Sequence, residues 1–372
     1  MMSQICRWGF VSAANIARKN WLAVKNSGNG QVVAVASRQS DKALAFINEC
    51  QSTQPFPEPP VAVAGYDDLL NRSDIDAVYI PLPTALRKEW VIRAAEKGKH
   101  VLCEKPCSSN AADLREMIDA CEANGVQFMD GLMFEHTARY REMRSVLDTN
   151  ESIGSIRRIA SQFSFNGGQD FEDSDIRLNS DLEPFGALGD LGWYSIRHAL
   201  WAMSYEMPSH VKATFLQTRQ RSDSPNPIPM EMSCEMFFAD GVSASFYNSF
   251  VTGLQQWACV SGTKGQLSLS DFVLPYHGEQ SRYQISTPAS QNLGCEFKLF
   301  ENREDRVVQE VSDSGVDAPE TELFRRFASI VNCGQLDPAW PTASLKTQMI
   351  MDAAMRSGKG NGQMVAVDSI DM

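Results

Sequence analysis

No apolar run in the 372 residues approaches the roughly 18 needed to cross a bilayer. A spanning helix is not expected. Positive charge is also scarce, since 34 Lys and Arg stand against 46 Asp and Glu to give a formal net charge of −12. That field repels polyanions, so neither nucleic acid nor an anionic membrane surface is expected as a partner of the whole molecule. Paired cysteine spacing is missing as well. The nine cysteines are odd in number and scattered, and the nearest pair, Cys103 and Cys107, lacks CxxC spacing, which argues against a disulfide framework. The five histidines (His100, His136, His198, His210 and His277) form no HxxxH set, so no metal is expected. There is no low-complexity tract. The first strand pattern begins by about Ile5 and leaves no room for a signal or transit peptide, so a cytoplasmic location is expected.

What is present is an ordinary globular composition, 43% hydrophobic and 22% charged. The length suits two domains of about 100–200 residues each. The pattern changes near Gly131, giving residues 1–130 as one domain and 131–372 as the other. In the first part the runs "ICRWGFV", "QVVAVASR", "VAVAGY", "DAVYIPLP", "HVLCEKP" and "VQFMDG" read as strands, and several are apolar almost throughout, as when both faces of a parallel sheet are buried. Helices fill the gaps. In "SSNAADLREMIDACEANG" the apolar Leu114, Met117, Ile118 and Cys121 follow helical spacing, with Asn110 and Asp113 suited to the start and Gly125 to the end. Similar patterns predict helices near Ala14–Lys25, Asp41–Glu49 and Ala85–Lys97. The alternation is βαβαβ, which predicts an α/β fold with a doubly wound parallel sheet.

After Gly131 a helix candidate, "GDLGWYSIRHALWAMS", is followed by the strand-like runs "SHVKATFLQT", "EMSCEMFFADGVSASFYNSF", "QQWACVSGTKGQLSLSDFVLPY" and "EFKLFE". Asp240-Gly241 and "GTKG" are tight-turn signals between neighbouring strands, so an antiparallel, sheet-rich region is expected. "RSDSPNPIPM" reads as a surface loop, and two helices near "PETELFRRFASIV" and "TASLKTQMIMDAAMRS" close the chain.

The stretch "RWGFVSAANIARK" resembles a dinucleotide-binding turn without its glycines. The three glycine positions hold Ser12, Ala14 and Ala17. Each glycine does a steric job, in bending the chain, admitting the pyrophosphate and packing helix on strand, and these are the smallest substitutes. A tightly packed βα corner has the same appearance. At the end of the second strand, where an NAD enzyme places an acid against the ribose 2′-hydroxyl, stand Ser37 and Arg38. A hydroxyl beside a guanidinium suits a 2′-phosphate, which favours NADP with NAD as the alternative; an arginine at a loop start is otherwise commonplace.

Lys105, in "HVLCEKP", falls at the C-terminal end of the fifth strand, the edge at which doubly wound sheets take ligands. It could face a reacting hydroxyl or simply solvent. Asp190 and Tyr194 are four apart on the predicted helix and share a face that His198 extends. A tyrosine near a lysine can move the proton that accompanies a hydride, with Asp190 orienting either, while Tyr194 and Trp193 could equally be packing residues.

Taken in order, "WGFVSAANIARK", "AVASR", "VYIPLPTALR", "HVLCEKP" and "GALGDLGWY" resemble the Gfo/Idh/MocA family of NAD(P)-dependent oxidoreductases over nearly the whole chain. The resemblance is greatest to its dimeric dihydrodiol dehydrogenase and NADP-dependent D-xylose dehydrogenase branch. It implies a Rossmann domain, a C-terminal α/β domain with a large open, mainly antiparallel sheet, and a homodimer or higher homo-oligomer. It implies Lys105 and Tyr194 as the catalytic pair, with Asp190 beside them. It puts Ser12, Ala13, Ala14, Asn15 and Ile16 on the pyrophosphate, and Ser37 and Arg38 on the 2′-phosphate. Pro81, Leu82, Pro83 and Thr84 would lie beside the nicotinamide ribose, with Glu104 and Lys105 as further cofactor contacts. Trp193, Tyr194 and His198 are then the residues expected to face substrate. The function implied is hydride transfer between NADP and a secondary alcohol or carbonyl of a sugar, polyol or trans-dihydrodiol. The competing reading is a catalytically silent NADP-binding sensor, which would have no need for Lys105 and Tyr194. "GLMFEHTARY" departs from the aromatic-Arg-Phe-Pro pattern of many relatives, so the substrate itself does not transfer.

Overall fold

Six short runs, all but the third mostly buried, form one parallel sheet in the computed structural model, which describes residues 5–312 and 315–368. They are β1 (Cys6–Val11), β2 (Gly30–Ser37), β3 (Val61–Ala64), β4 (Ala77–Ile80), β5 (His100–Cys103) and β6 (Phe128–Asp130). Their order is β3-β2-β1-β4-β5-β6, with every neighbouring pair parallel. The winding reverses between β1 and β4. In such sheets the crevice at the C-terminal strand ends, at that reversal, is where ligands bind.

The connections are α1 (Asn15–Ser27), α2 (Ser40–Thr53), α3 (Tyr66–Leu70), α4 (Thr84–Glu96) and α5 (Ala111–Ala123). In α5 the predicted apolar positions Leu114, Met117, Ile118 and Cys121 are the buried ones, and the Asn110 side chain accepts from the Asp113 amide at 2.8 Å. Such a cap contributes about 1 kcal/mol.

Two units divide the chain. The first draws on Met1–His136, Asp181–Pro184 and Asp313–Gln348, the second on Thr137–Ser180, Phe185–Ser312 and Met349–Met372. A helix from the far end of the sequence, Pro319–Cys333, therefore completes the core of the first unit. Its Phe324 and Phe327 meet the fully buried Trp8 of β1 at 5.0 and 5.1 Å between ring centroids. Burying each such ring stabilises the unit by about 1.5–3 kcal/mol.

The second unit is built on a nine-stranded sheet. Its strands include β7 (Ile156–Asn166), β8 (His210–Arg219), β9 (Ile228–Phe237), β10 (Ser243–Ser249), β11 (Val251–Gly262), β12 (Gln266–Leu269) and β13 (Gln280–Ser286). Between β13 and the edge strand, the segments β14 (Ala289–Leu293) and β15 (Glu296–Phe300) form a separate hairpin. The edges are β16 (Arg303–Gln309) and β17 (Val365–Ala366), and the order is β16-β13-β12-β11-β7-β10-β9-β8-β17. All pairs are antiparallel except β7 with β10. The turn between β9 and β10 places Asp240 and Gly241 at φ 54° and 70°, the left-handed conformation that the Asp-Gly pair signals. Among the described residues, no helix is long and apolar enough to cross a membrane.

The helix Trp193–Ala202 lies in the core of this unit, with all ten residues buried. His198 is 0% exposed; its Nδ1 pairs with the Tyr140 hydroxyl at 3.0 Å, and its ring lies between Trp201 and Phe272. Burial lowers its pKa from 6.5 to about 3. Below pH 6.5 the unfolded chain gains a proton that the folded chain refuses, so stability falls as the pH drops, by about 2 kcal/mol at pH 5. The melting temperature is expected to drop between pH 7 and pH 5, and the drop should shrink in His198→Gln. Equal drops in both proteins would contradict this.

Candidate functional site

The turn after β1 resolves the question that its missing glycines raise. Ser12 sits at φ 125°, a backbone region that favours glycine, so the serine accepts the glycine conformation with its strain. Such a conformation costs on the order of 1–3 kcal/mol. Ala17 is fully buried and its amide bonds to the Ala14 carbonyl at 3.0 Å, so the third small residue serves helix packing. Ala14 precedes α1 in an extended conformation without a side-chain cap. The first helical amides therefore remain available to an anion, and the helix has no acid in its first turn to oppose one. Ser12, Ala13 and Ala14 are half-buried, while Asn15 and Ile16 are exposed.

Beside this turn lies a cleft of about 740 Å³ lined by Ser12, Ala13, Arg18, Ser37, Arg38 and Lys42, with Phe46, Glu49 and Tyr66 among its other walls. Arg18 donates to both carboxylate oxygens of Glu49, at 2.9 and 2.7 Å, and lies 5.2 Å from the Phe46 ring centroid. The Arg18 hydrogen bonds lower the Glu49 carboxyl's pKa, so it stays ionised with its charge offset by the guanidinium. Arg38 and Lys42 are exposed cations with no ion pair among the described residues. The cleft thus offers two positive charges and the end of β2, where Ser37 is 8% exposed. This donor set fits a 2′-phosphate, and the uncapped helix start fits a pyrophosphate. Lys42 was not singled out from the sequence, although it lies four residues beyond Arg38.

At the neighbouring strand ends, Pro81, Leu82 and Pro83 follow β4, and Thr84 begins α4. Arg87, 5% exposed, reaches back from α4: its Nε donates to the Leu82 carbonyl at 2.7 Å and its Nη1 to Thr84 Oγ1 at 3.1 Å and to the Pro106 carbonyl. One guanidinium thereby joins the loop after β4 to the loop after β5. Glu183 accepts from the Thr84 amide at 3.0 Å and from its hydroxyl at 2.5 Å, and Ala85 donates to the Leu182 carbonyl at 3.1 Å. The buried Thr84 hydroxyl is therefore committed to protein partners. Arg87 and Glu183 were not foreseen; the first repeats Thr84 at helical spacing, and the second lies 99 residues away with no local signal.

Lys105 is half-buried at the end of β5, and the Lys105–Pro106 peptide is cis. Glu104 accepts from the Lys105 amide at 3.2 Å and from the Tyr79 hydroxyl at 2.6 Å. The first unit thus gathers Ser12 to Ile16, Ser37, Arg38, Pro81 to Thr84, Glu104 and Lys105 along one sheet edge.

The remaining candidates belong to the second unit. Leu188–Gly192 forms a π-helical turn that runs into the α-helix at Trp193, so the regular helix expected there does not hold through Asp190. Such turns recur at functional sites. Asp190 pairs with Arg177 at 2.8 Å, a partner the sequence did not suggest. Tyr194 is 8% exposed and stands edge-on to Phe163 at 5.6 Å, while Trp193 is fully enclosed. His198, read as part of a substrate face, is instead a neutral core residue held by Tyr140, because its own side chain is fully enclosed among Tyr140, Trp201 and Phe272.

Comparison with known proteins agrees with this architecture. Residues 6–132 match the oxidoreductase family with an NAD-binding Rossmann fold, and residues 140–268 match the GFO/IDH/MocA C-terminal domain. The chain is 32% identical to D-xylose 1-dehydrogenase (NADP(+)) 2 of Haloferax volcanii, over 97% of this chain and 99% of that protein. It is 38% identical to the dTDP-3,4-didehydro-2,6-dideoxy-alpha-D-glucose 3-reductase of Streptomyces violaceoruber, over 76% of this chain and 78% of the relative. A 3-ketoreductase from Actinomadura kijaniata, solved with NADP and TDP-benzene, superposes with a TM-score of 0.77 at 26% identity, covering 95% of this chain and 98% of that one.

The strain at Ser12 has a measurable consequence. Ser12→Gly removes a cost of about 1–3 kcal/mol and adds about 0.5–1 kcal/mol of unfolded-state entropy, so a net stabilisation of roughly 1 kcal/mol is expected. Denaturant unfolding of the cofactor-free protein checks this; a less stable glycine variant would show that the serine conformation is not strained.

Proposed function

Because the chain belongs to the GFO/IDH/MocA family of oxidoreductases, we propose that it transfers hydride between NADP and a secondary alcohol or carbonyl of a sugar, polyol or trans-dihydrodiol. The observation that carries the reading is the edge of the first unit's sheet, where an uncapped helix start, two unpaired cations and a strand-end lysine lie in the order a dinucleotide needs. The α1 amides and residues Ser12 to Ile16 would hold the pyrophosphate, and Ser37, Arg38 and Lys42 the 2′-phosphate. Pro81 to Thr84 and Glu104 would lie along the nicotinamide ribose. Residues 1–130, completed by the helix Pro319–Cys333, would be the cofactor domain, and the greater part of 131–372 the substrate and assembly domain.

Bound NADP supplies or accepts the hydride. What the chain must add is charge and a proton. Lys105 would polarise the substrate oxygen with its ammonium, and Tyr194 would exchange the proton of that oxygen through its hydroxyl. Asp190, paired to Arg177, would fix the π-helical turn that leads into Tyr194. The presence of both a lysine and a tyrosine suited to proton transfer supports an enzyme over a sensor. Nine free cysteines suit a reducing cytoplasm, and the broad sheet of the second unit suits a homodimer or higher homo-oligomer.

Two experiments test these assignments. Lys105→Met and Tyr194→Phe should each lower kcat by about 10²–10⁴ while leaving NADPH affinity nearly unchanged, measured with a substrate found by screening sugars and dihydrodiols for NADPH formation. Full activity in both variants would refute the catalytic roles. Separately, Arg38→Ala should weaken NADP binding by about tenfold or more and NAD binding far less. Equal weakening would exclude a 2′-phosphate contact.

A further inference from the structure

The EKP motif is held from behind by a buried polar relay. Tyr79 lies in β4 within an otherwise apolar run, is 0% exposed, and packs its ring against Phe10 and Phe324 at 5.2 and 5.6 Å. Its hydroxyl accepts from Asn20 Nδ2 at 2.6 Å and donates to Glu104 Oε1 at 2.6 Å. Asn20 is itself 4% exposed and belongs to α1, the helix whose start forms the cofactor turn. Glu104 Oε2 accepts from the Lys105 amide at 3.2 Å. The other side of the carboxylate fills the space a side chain would need at Gly131, where an added Cβ would lie 3.1 Å from Glu104 Cδ and Oε2.

A buried phenol must donate its proton to something, and an unmade bond of this kind costs about 1–3 kcal/mol. Burial and then the negative charge of Glu104 push the Tyr79 hydroxyl well above its ordinary range, so it stays a donor. The Lys105 amide engages the other carboxylate oxygen, and the missing side chain at Gly131 leaves the carboxylate the room to lie there. We propose that Asn20 and Tyr79 are positioning residues that hold the Glu104 carboxylate, and through it the Lys105 backbone, in the pose that receives the cofactor. The proposal rests on the reading of Glu104 as a cofactor contact. It makes the cofactor helix and the Glu104-Lys105-Pro106 loop one hydrogen-bonded assembly, joined through Tyr79.

A double-substitution cycle tests this by NADPH titration of the full chain, with melting temperature as a control. Tyr79→Phe and Glu104→Gln should each raise the NADPH Kd by about tenfold, and the double variant should be no weaker than Glu104→Gln alone. If Tyr79→Phe does not fold, Asn20→Ala takes its place, with about a threefold weakening expected alone and none in the Glu104→Gln background. Multiplying effects in the double variant would mean a merely structural tyrosine and overturn the relay. So would a normal Kd in Tyr79→Phe beside a weakened Glu104→Gln. An unchanged Kd in Glu104→Gln would instead remove the cofactor contact, and the proposal would fall with it.

Discussion

The guanidinium of Arg87 is the interaction on which the candidate site depends. It is an obligate cation, 5% exposed, and burying an unpaired charge of this kind costs several kcal/mol. Its environment answers that cost with oxygen atoms drawn from two loops, the Leu82 and Pro106 carbonyls, together with the Thr84 hydroxyl. The loop after β4 and the loop after β5 therefore cannot move independently. A lysine could not span the same acceptors, because a point charge lacks the fixed fork of donors. With Tyr79 holding Glu104 on one side of Lys105 and Arg87 holding Pro106 on the other, the strand-end lysine emerges from a backbone fixed at both neighbours.

The strained turn at Ser12 belongs to the same edge. A serine keeps φ 125° only if the elements on either side leave it no alternative, and here those elements are a central strand buried at five of its six residues and a helix whose Ala17 is fully buried. Counting glycines would have rejected this turn. Considering what each glycine does sterically retains it, because the backbone amides at the start of α1 would be the binding groups and the side chains need only be small.

Much of this was legible in the sequence, for a physical reason: parallel strands buried on both faces appear as continuous apolar runs, and several of the six strands of the first unit were marked in that way. The second unit was less legible at its centre. β7 carries its buried face on Ile159, Ser161 and Phe163, and the serine breaks the apolar alternation that would have announced a strand. The edge strand β16, "REDRVVQ", is mostly charged and exposed, as edges are, and so gave no apolar strand signal. Within the site, residues placed by strand ends were readable, whereas those placed by tertiary contact were not. Glu183 meets Thr84 across 99 positions, and Asp190 meets Arg177 through a π-helical turn that no four-residue spacing foretells. His198 misled because helical periodicity reports a shared face without saying whether that face meets a cleft or the core.

Amide hydrogen exchange with and without NADPH tests most directly whether the cofactor lies along this edge. Protection is expected in three segments, 12–17, 37–42 and 104–108, with NADH protecting the first and third but not the second. Absence of protection in 12–17, or protection centred elsewhere in the chain, would contradict the placement of the dinucleotide on α1.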